Sequence, residues 1–163
     1  LREQVGNISF DDQVMGHVMQ NMHLTVGDFI IQRRDELFSY QLAVTVDDAF
    51  QKVTRVMRGS DLLDSTPRQI FLQQCLGYHQ PSYAHVPIAV SSDGQKLSKQ
   101  NLATGLLAGN ESSNLWAALD WLQQSPPKSL SSLPAAEIIT WATQNWDQSK
   151  LQAHLTAPAP KGF

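Results

Sequence analysis

The stretch "STPRQIFLQQCLGY", residues 65 to 78, is the segment of this chain that leaves the fewest alternatives. Thr66 can cap a helix. Pro67 suits its first position because it lacks an N–H that would go unbonded there, and Gly77 can take the left-handed turn that ends it. Phe71 and Cys75 stand four apart, as do Leu72 and Leu76, so each pair shares a helix face. In that setting Cys75 is expected to be a packed small hydrophobe and not a nucleophile. Apolar runs bracket the helix. "VTRVM" (53 to 57) reads as a strand before it, and "AHVPIAV" (84 to 90) as a short buried strand after it. Strand, helix, strand is the alternation of an α/β sheet, whose loops beyond the strand C-termini commonly hold ligands.

Upstream, "FIIQRR" (29 to 34) reads as a strand, and "FSYQLAVTV" (38 to 46) as a buried one, before Asp47 and Asp48 interrupt. Downstream, the Asp93-Gly94 turn leads into "KLSK", residues 96 to 99. Past about Asn101 the character changes. Ser112 or Ser113 can cap a helix with Leu115, Leu119 and Leu122 on one face, and "SPPKSLSSLP" (125 to 134) breaks it. A second amphipathic helix has Ile138, Trp141 and Ala142 as its expected buried side. Trp116, Trp121, Trp141 and Trp146 all fall in this part, and at helical spacing they are expected in the core more than in base stacking. The tail "TAPAPKGF" is expected to fray. The chain thus divides near residue 102: a connector over 1–28, an α/β part over 29–102 and an α-helical part over 103–163.

Composition excludes several classes. With 163 residues, 42% hydrophobic and 17% charged, the chain can build a globular core. No apolar run approaches ~18 residues, so no membrane span is expected. The polar start at Leu1 carries no charged-then-apolar leader and reads as a cut. One cysteine rules out an internal disulfide and a multi-cysteine metal site, which favours a cytoplasmic home. A net charge of −3 does not attract nucleic acid as a whole, although Arg33, Arg34, Lys52, Arg55, Arg58, Arg68, Lys96 and Lys99 gather mid-chain among interleaved acids.

Four features could carry chemistry. Tyr40 within "SYQLAV" is either a core tyrosine bonded to backbone or a ligand for substrate. Arg58 before Gly59 offers a planar fork, to Asp61 or Asp64 locally or to a bound carboxylate. His85 reads as a satisfied structural histidine. Lys96 and Lys99 are a solvated pair or a phosphate clamp. No serine–histidine–acid order, HExxH, GxxxxGK or cysteine cluster is present, which leaves hydrolase and P-loop readings without support.

Taken in order, R-R-D, Y-x-L-A, V-D-D, R-G-x-D, T-P-R-Q-I, H-x-P and K-L-S-K run in one register from about Asp28 to Gln100. That series strongly resembles the second half of the catalytic domain of glutamyl-tRNA synthetases, class I enzymes with a Rossmann fold. The likeness is greatest to their short paralogous branch, the glutamyl-queuosine tRNA(Asp) synthetases. Val44 follows Tyr40 by four residues where full-length synthetases usually carry asparagine. The loop reads "KLSKQN", not K-[LM]-S-K-R, and only 63 residues follow Gln100, too few for a large anticodon-binding domain.

The resemblance implies an α/β fold: the C-terminal half of a Rossmann-type catalytic domain, then a small α-helical, stem-contact-like domain. It implies an enzyme that activates L-glutamate with ATP and Mg2+ and attaches it to the queuosine base in the tRNA(Asp) anticodon. Tyr40 and Arg58 match the family's glutamate-binding positions. Lys99 matches its signature lysine, with Lys96, Leu97 and Ser98 completing the ATP loop. The phosphate-binding H-x-G-H-like motif and a zinc-binding insertion belong to a first half absent here, so zinc is expected only there, and the chain alone is expected to be incomplete and inactive. Two other readings stay open: part of a synthetase charging the tRNA 3′ end, or a non-catalytic RNA- or protein-binding module.

Overall fold

The computed structural model describes residues 6–97 and 108–160, which fall into two compact units that divide between His85 and Val86. The first holds a four-stranded sheet in the order β2-β1-β4-β3. Strands β1 (Asn7–Asp12) and β2 (Gly16–Asn21) form an antiparallel hairpin, register Asn7 to Asn21. β1 alternates exposed and buried residues along its whole length, so Ile8, Phe10 and Asp12 share the covered face. β4 (Ser82–Val86) lies parallel to β1, and β3 (Arg55–Gly59) lies beyond it. Helix α2 (Thr66–Leu76) packs on β1, and α1 (Tyr40–Phe50) packs on α2. Ile8, Phe10, Met22, Ile70 and Tyr83 make the core, each no more than 6% exposed. Burying side chains of this size stabilises the fold by roughly 1.5–3 kcal/mol each before entropy is counted.

The proline and glycine signals of α2 hold, but Thr66 is not its cap: the helix begins at Thr66, Ser65 precedes it without a side-chain cap bond, and the Thr66 hydroxyl bonds Arg58 and the Leu62 carbonyl instead. Pro67 sits in the first turn, and Gly77 ends the helix at φ 69, ψ 29, its N–H bonded to the Gln73 and Gln74 carbonyls. A side chain there would carry the left-handed strain that glycine avoids. Four further expectations are corrected here. Residues 38–46 are no strand: α1 begins at Tyr40, and the Thr45 hydroxyl donates to the Gln41 carbonyl at 2.8 Å, one turn back. The β-branched residues suggested a strand, but contact with α2 decides the local structure. Residues 29–34 contain only an isolated bridge, Gln32 to Phe38. The run 84–90 is two strands, because Pro87 has no N–H to continue a ladder. β4 ends at Val86, and β5 (Ile88–Val90) belongs to another sheet. Cys75 is exposed and not packed in the core.

The second unit contains β5, α3 (Glu111–Trp121), α4 (Ala135–Asn145) and β6 (Thr156–Pro158). The tail is not frayed where described: β6 pairs in parallel with β5, and Ala159 N–H donates to the Val90 carbonyl at 2.8 Å. Leu119 and Ile138 are the buried residues of the two helices, in line with the periodic pattern. The tryptophans are less buried than a core reading requires. The Trp121 indole N–H donates to the Pro158 carbonyl at 2.7 Å, that of Trp116 to the Pro127 carbonyl at 3.0 Å, and Trp146 is 37% exposed.

Candidate active site

The covered face of the first sheet ends in a buried polar cluster. The pairing of Asp12 with Tyr83 sets the end of β1 alongside β4, and the strand period puts Tyr83 and His85 on one side. Their rings lie 17° from parallel with centroids 6.4 Å apart, and the edge of Phe10 meets Tyr83 at 5.7 Å. β3 delivers Arg58, whose guanidinium carbon lies 5.6 Å from the centre of the Tyr83 ring. The start of α2 delivers Thr66, fully buried.

These groups bond in a defined sequence. Asp12 Oδ1 accepts from the N–H of Val14 (3.0 Å), Met15 (2.9 Å) and His85 (3.1 Å), and Oδ2 lies 2.6 Å from His85 Nδ1. Arg58 Nε donates to His85 Nε2 at 3.0 Å, and Arg58 Nη2 donates to the Thr66 hydroxyl at 2.7 Å. A guanidinium can only donate, so His85 Nε2 accepts and carries no proton. The proton of the neutral ring therefore sits on Nδ1, directed at Asp12. Burial holds the imidazole below its ordinary 6.5 against the pull of Asp12, and the Arg58 charge acts in the same direction as burial. For Asp12, burial favours the neutral acid, but the hydrogen bonds from Met15, His85 and Val14 together outweigh it and keep the carboxyl below 3.8.

Tyr40 is the first residue of α1, 51% exposed, so the inward-facing sheet tyrosine of the sequence reading is corrected to a helix-end residue. It stands at the same end of the helix pair as Arg58. Gln41 Nε2 donates to the Ser65 hydroxyl at 3.0 Å, Gln41 Oε1 accepts from Gln69 at 2.8 Å, and Ser65 is joined to Thr66, the Arg58 ligand. Val44 lies one helical turn after Tyr40 on the same face. Lys96 and Leu97 belong to the second unit: Lys96 bridges to Val90 after the Asp93-Gly94 turn, and Leu97 N–H donates to the Ala89 carbonyl at 3.0 Å. Lys99 and Ser98 lie outside the described residues. Sequence reasoning missed Asp12, whose partner His85 is 73 residues away, and missed that Thr66 serves Arg58 as well as starting a helix.

Residues 2–113 match the model of the tRNA synthetases class I (E and Q) catalytic domain. The chain belongs to that family. The resemblance carried by the motifs is borne out. This class I chain is 47% identical over 149 residues to the glutamyl-Q tRNA(Asp) synthetase of Pseudomonas aeruginosa, covering 91% of the chain and 51% of that protein. It is 45% identical over 161 residues to the glutamyl-Q tRNA(Asp) synthetase of Dechloromonas aromatica, covering 98% and 54%. The chain thus spans about half the length of the curated relatives it matches. The fold is that of a glutamate tRNA ligase from Elizabethkingia meningosepticum, at TM-score 0.68 and 22% identity over 92% of this chain and 33% of that one. The glutamate-tRNA synthetase of Elizabethkingia anophelis gives 0.67 and 23%, over 91% and 33%. Among the described residues, no group of three or more His, Cys, Asp or Glu side chains could hold a metal ion. No helix among them is long and apolar enough to cross a membrane.

Proposed function

We propose that the protein containing this chain activates L-glutamate with ATP and transfers it to the queuosine base in the anticodon of tRNA(Asp). One observation carries the reading: the likeness to glutamyl-Q tRNA(Asp) synthetases extends over nine-tenths of the chain. Arg58 pairs with a carboxylate of the substrate. Its bonds to His85, Thr66 and the Leu62 carbonyl engage Nε and Nη2, and Nη1 is outside them. That arrangement supports a guanidinium fixed on one side and offering donors on the other. Tyr40, exposed beside that end of α1, hydrogen-bonds the same amino acid.

In the activation step a glutamate carboxylate oxygen bonds to the α-phosphorus of ATP, and the bond from that phosphorus to the pyrophosphate oxygen breaks. Lys99 and Lys96, with Leu97 and Ser98 between them in the sequence, contact ATP and stabilise the charge growing on the pyrophosphate. Magnesium travels with the ATP phosphates, and no side chain of this chain is assigned to it. In the second step the glutamyl carbonyl passes to the queuosine base and AMP leaves. Because the chain spans half the length of its relatives, it supplies part of this site and is inactive alone.

The test is glutamate-dependent exchange of pyrophosphate into ATP, on the chain and on the chain extended by the portion of the relatives that it does not span. Exchange by the extended form without tRNA is the expected result. Exchange only after tRNA is added would favour a synthetase charging the 3′ end, and none in either case would leave a binding module.

A further inference from the structure

The sequence motifs give Asp12 and His85 no substrate role, yet both side chains are fully covered. Burying a carboxylate and an imidazole costs free energy that an apolar pair of the same volume would not. The cluster has a direction that simple packing does not need. It starts on the backbone N–H groups of Val14 and Met15, passes through Asp12 and His85, and ends on the Nε of Arg58.

Building on the proposed function above, we infer that Asp12 and His85 are positioning residues for Arg58: Asp12 fixes the Nδ1–H tautomer of His85, and the bare Nε2 orients the guanidinium for a substrate carboxylate. Only this tautomer works. A proton on Nε2 would point a donor at a donor and expel Arg58 from its place. An Asp12 carboxylate accepts only, so it selects the ring nitrogen that must carry the proton. Thr66 fixes the second angle. Its hydroxyl accepts from Nη2 and donates to the Leu62 carbonyl at 3.2 Å, so the guanidinium plane is held at Nε and Nη2. The Tyr83 ring beneath it supplies a third restraint. The charged and titratable groups facing His85 are Asp12 from β1, Arg58 from β3, Asp61 from the turn after it and Tyr83 from β4 itself. Of these only Asp12 and Arg58 bond the ring.

The experiment is nitrogen-15 NMR on the 163-residue chain. Wild type should show His85 with its proton on Nδ1 at about pH 7, and a slowly exchanging Arg58 Nε–H. In Asp12→Asn the Arg58 Nε–H should exchange at least tenfold faster, and His85→Gln, whose amide oxygen can still accept, should recover part of the protection. An Nε2–H tautomer in wild type, or unchanged Arg58 exchange in a folded Asp12→Asn, would overturn the inference. If Asp12→Asn does not fold, the wild-type tautomer and Arg58 exchange decide the matter alone. Glutamate is then titrated against the Arg58 resonance in the chain extended by the portion of the relatives that it does not span, because the chain alone supplies only part of the site. A shift in wild type that needs about tenfold more glutamate in Asp12→Asn supports both readings, and an equal midpoint in the two overturns the positioning role. No shift in wild type, with the tautomer and exchange results intact, would count against Arg58 as the glutamate ligand and leave its positioning by His85 standing.

Discussion

Asp12 binds His85 twice, ring nitrogen to Oδ2 at 2.6 Å and backbone N–H to Oδ1 at 3.1 Å, so one carboxylate ties together two parallel strands 73 residues apart in the chain. The ion is buried with a neutral partner. Its stability therefore depends on backbone donors as much as on the imidazole.

This arrangement makes the fold acid-sensitive in two stages. The His85 pKa is lower in the folded chain than 6.5, so the unfolded chain binds the proton first. Stability is complete above pH 6.5 and declines as pH falls from there toward the folded value. Asp12, also depressed, adds a second loss as pH falls from 3.8 through its folded value. Urea midpoints should therefore drop between about pH 7.5 and pH 5, and His85→Gln should flatten that part of the curve. An equal slope in wild type and variant would argue against His85 as its source.

Asp12→Asn keeps the volume but puts an amide where three N–H groups and a ring N–H converge. Losing buried hydrogen bonds to a charged group costs about 3 kcal/mol or more in sum. Denaturant unfolding would register that as a lower midpoint with an unchanged slope.

Arg58→Lys keeps the charge and loses the fork. A lysine cannot donate to His85 and Thr66 and still present a second planar pair to a carboxylate. Glutamate KM should rise about tenfold or more, and Lys99→Ala should instead lower the activation rate by about a hundredfold. Steady-state kinetics on the extended protein separates the two, and equal effects of both variants on KM would contradict the division of roles.

Cys75 is the chain's one thiol and is exposed at the C-terminal turn of α2. A thiol-specific reagent should label one site per native chain without denaturant, whereas a core cysteine would wait for unfolding. Mass spectrometry before and after urea makes the comparison.

Gly77→Ala forces a Cβ into the left-handed conformation that ends α2. Nothing lies within 4 Å of that Cβ, so the cost is conformational only, about 1 kcal/mol. A loss several times larger would point to a clash that the structure does not contain.

What the sequence disclosed follows the range of the interactions. The bounds of α2 were legible because a proline, a glycine and the four-residue spacing act within one turn of each other. The family was legible as a series of motifs in register. α1 was misread because Val44, Thr45 and Val46 favour a strand in isolation, while packing on α2 makes them helical. The 84–90 run hid a boundary that Pro87 marks. The β1–β2 hairpin went unread because its strands mix polar and apolar residues, and only the covered face of β1 shows period two. Asp12 could not be found at all. A lone acid in "FDDQ" gives no sign of a histidine partner that only the sheet brings to it.

β6 gives the last residues described a structural duty. Thr156–Pro158 covers one edge of β5, and the Pro158 carbonyl receives the Trp121 indole. A version of the chain shortened to Leu155 would leave the β5 edge with a row of open backbone donors and acceptors, a template on which another molecule's strand can add. Trimming those few residues for solubility would therefore invite self-association instead of preventing it.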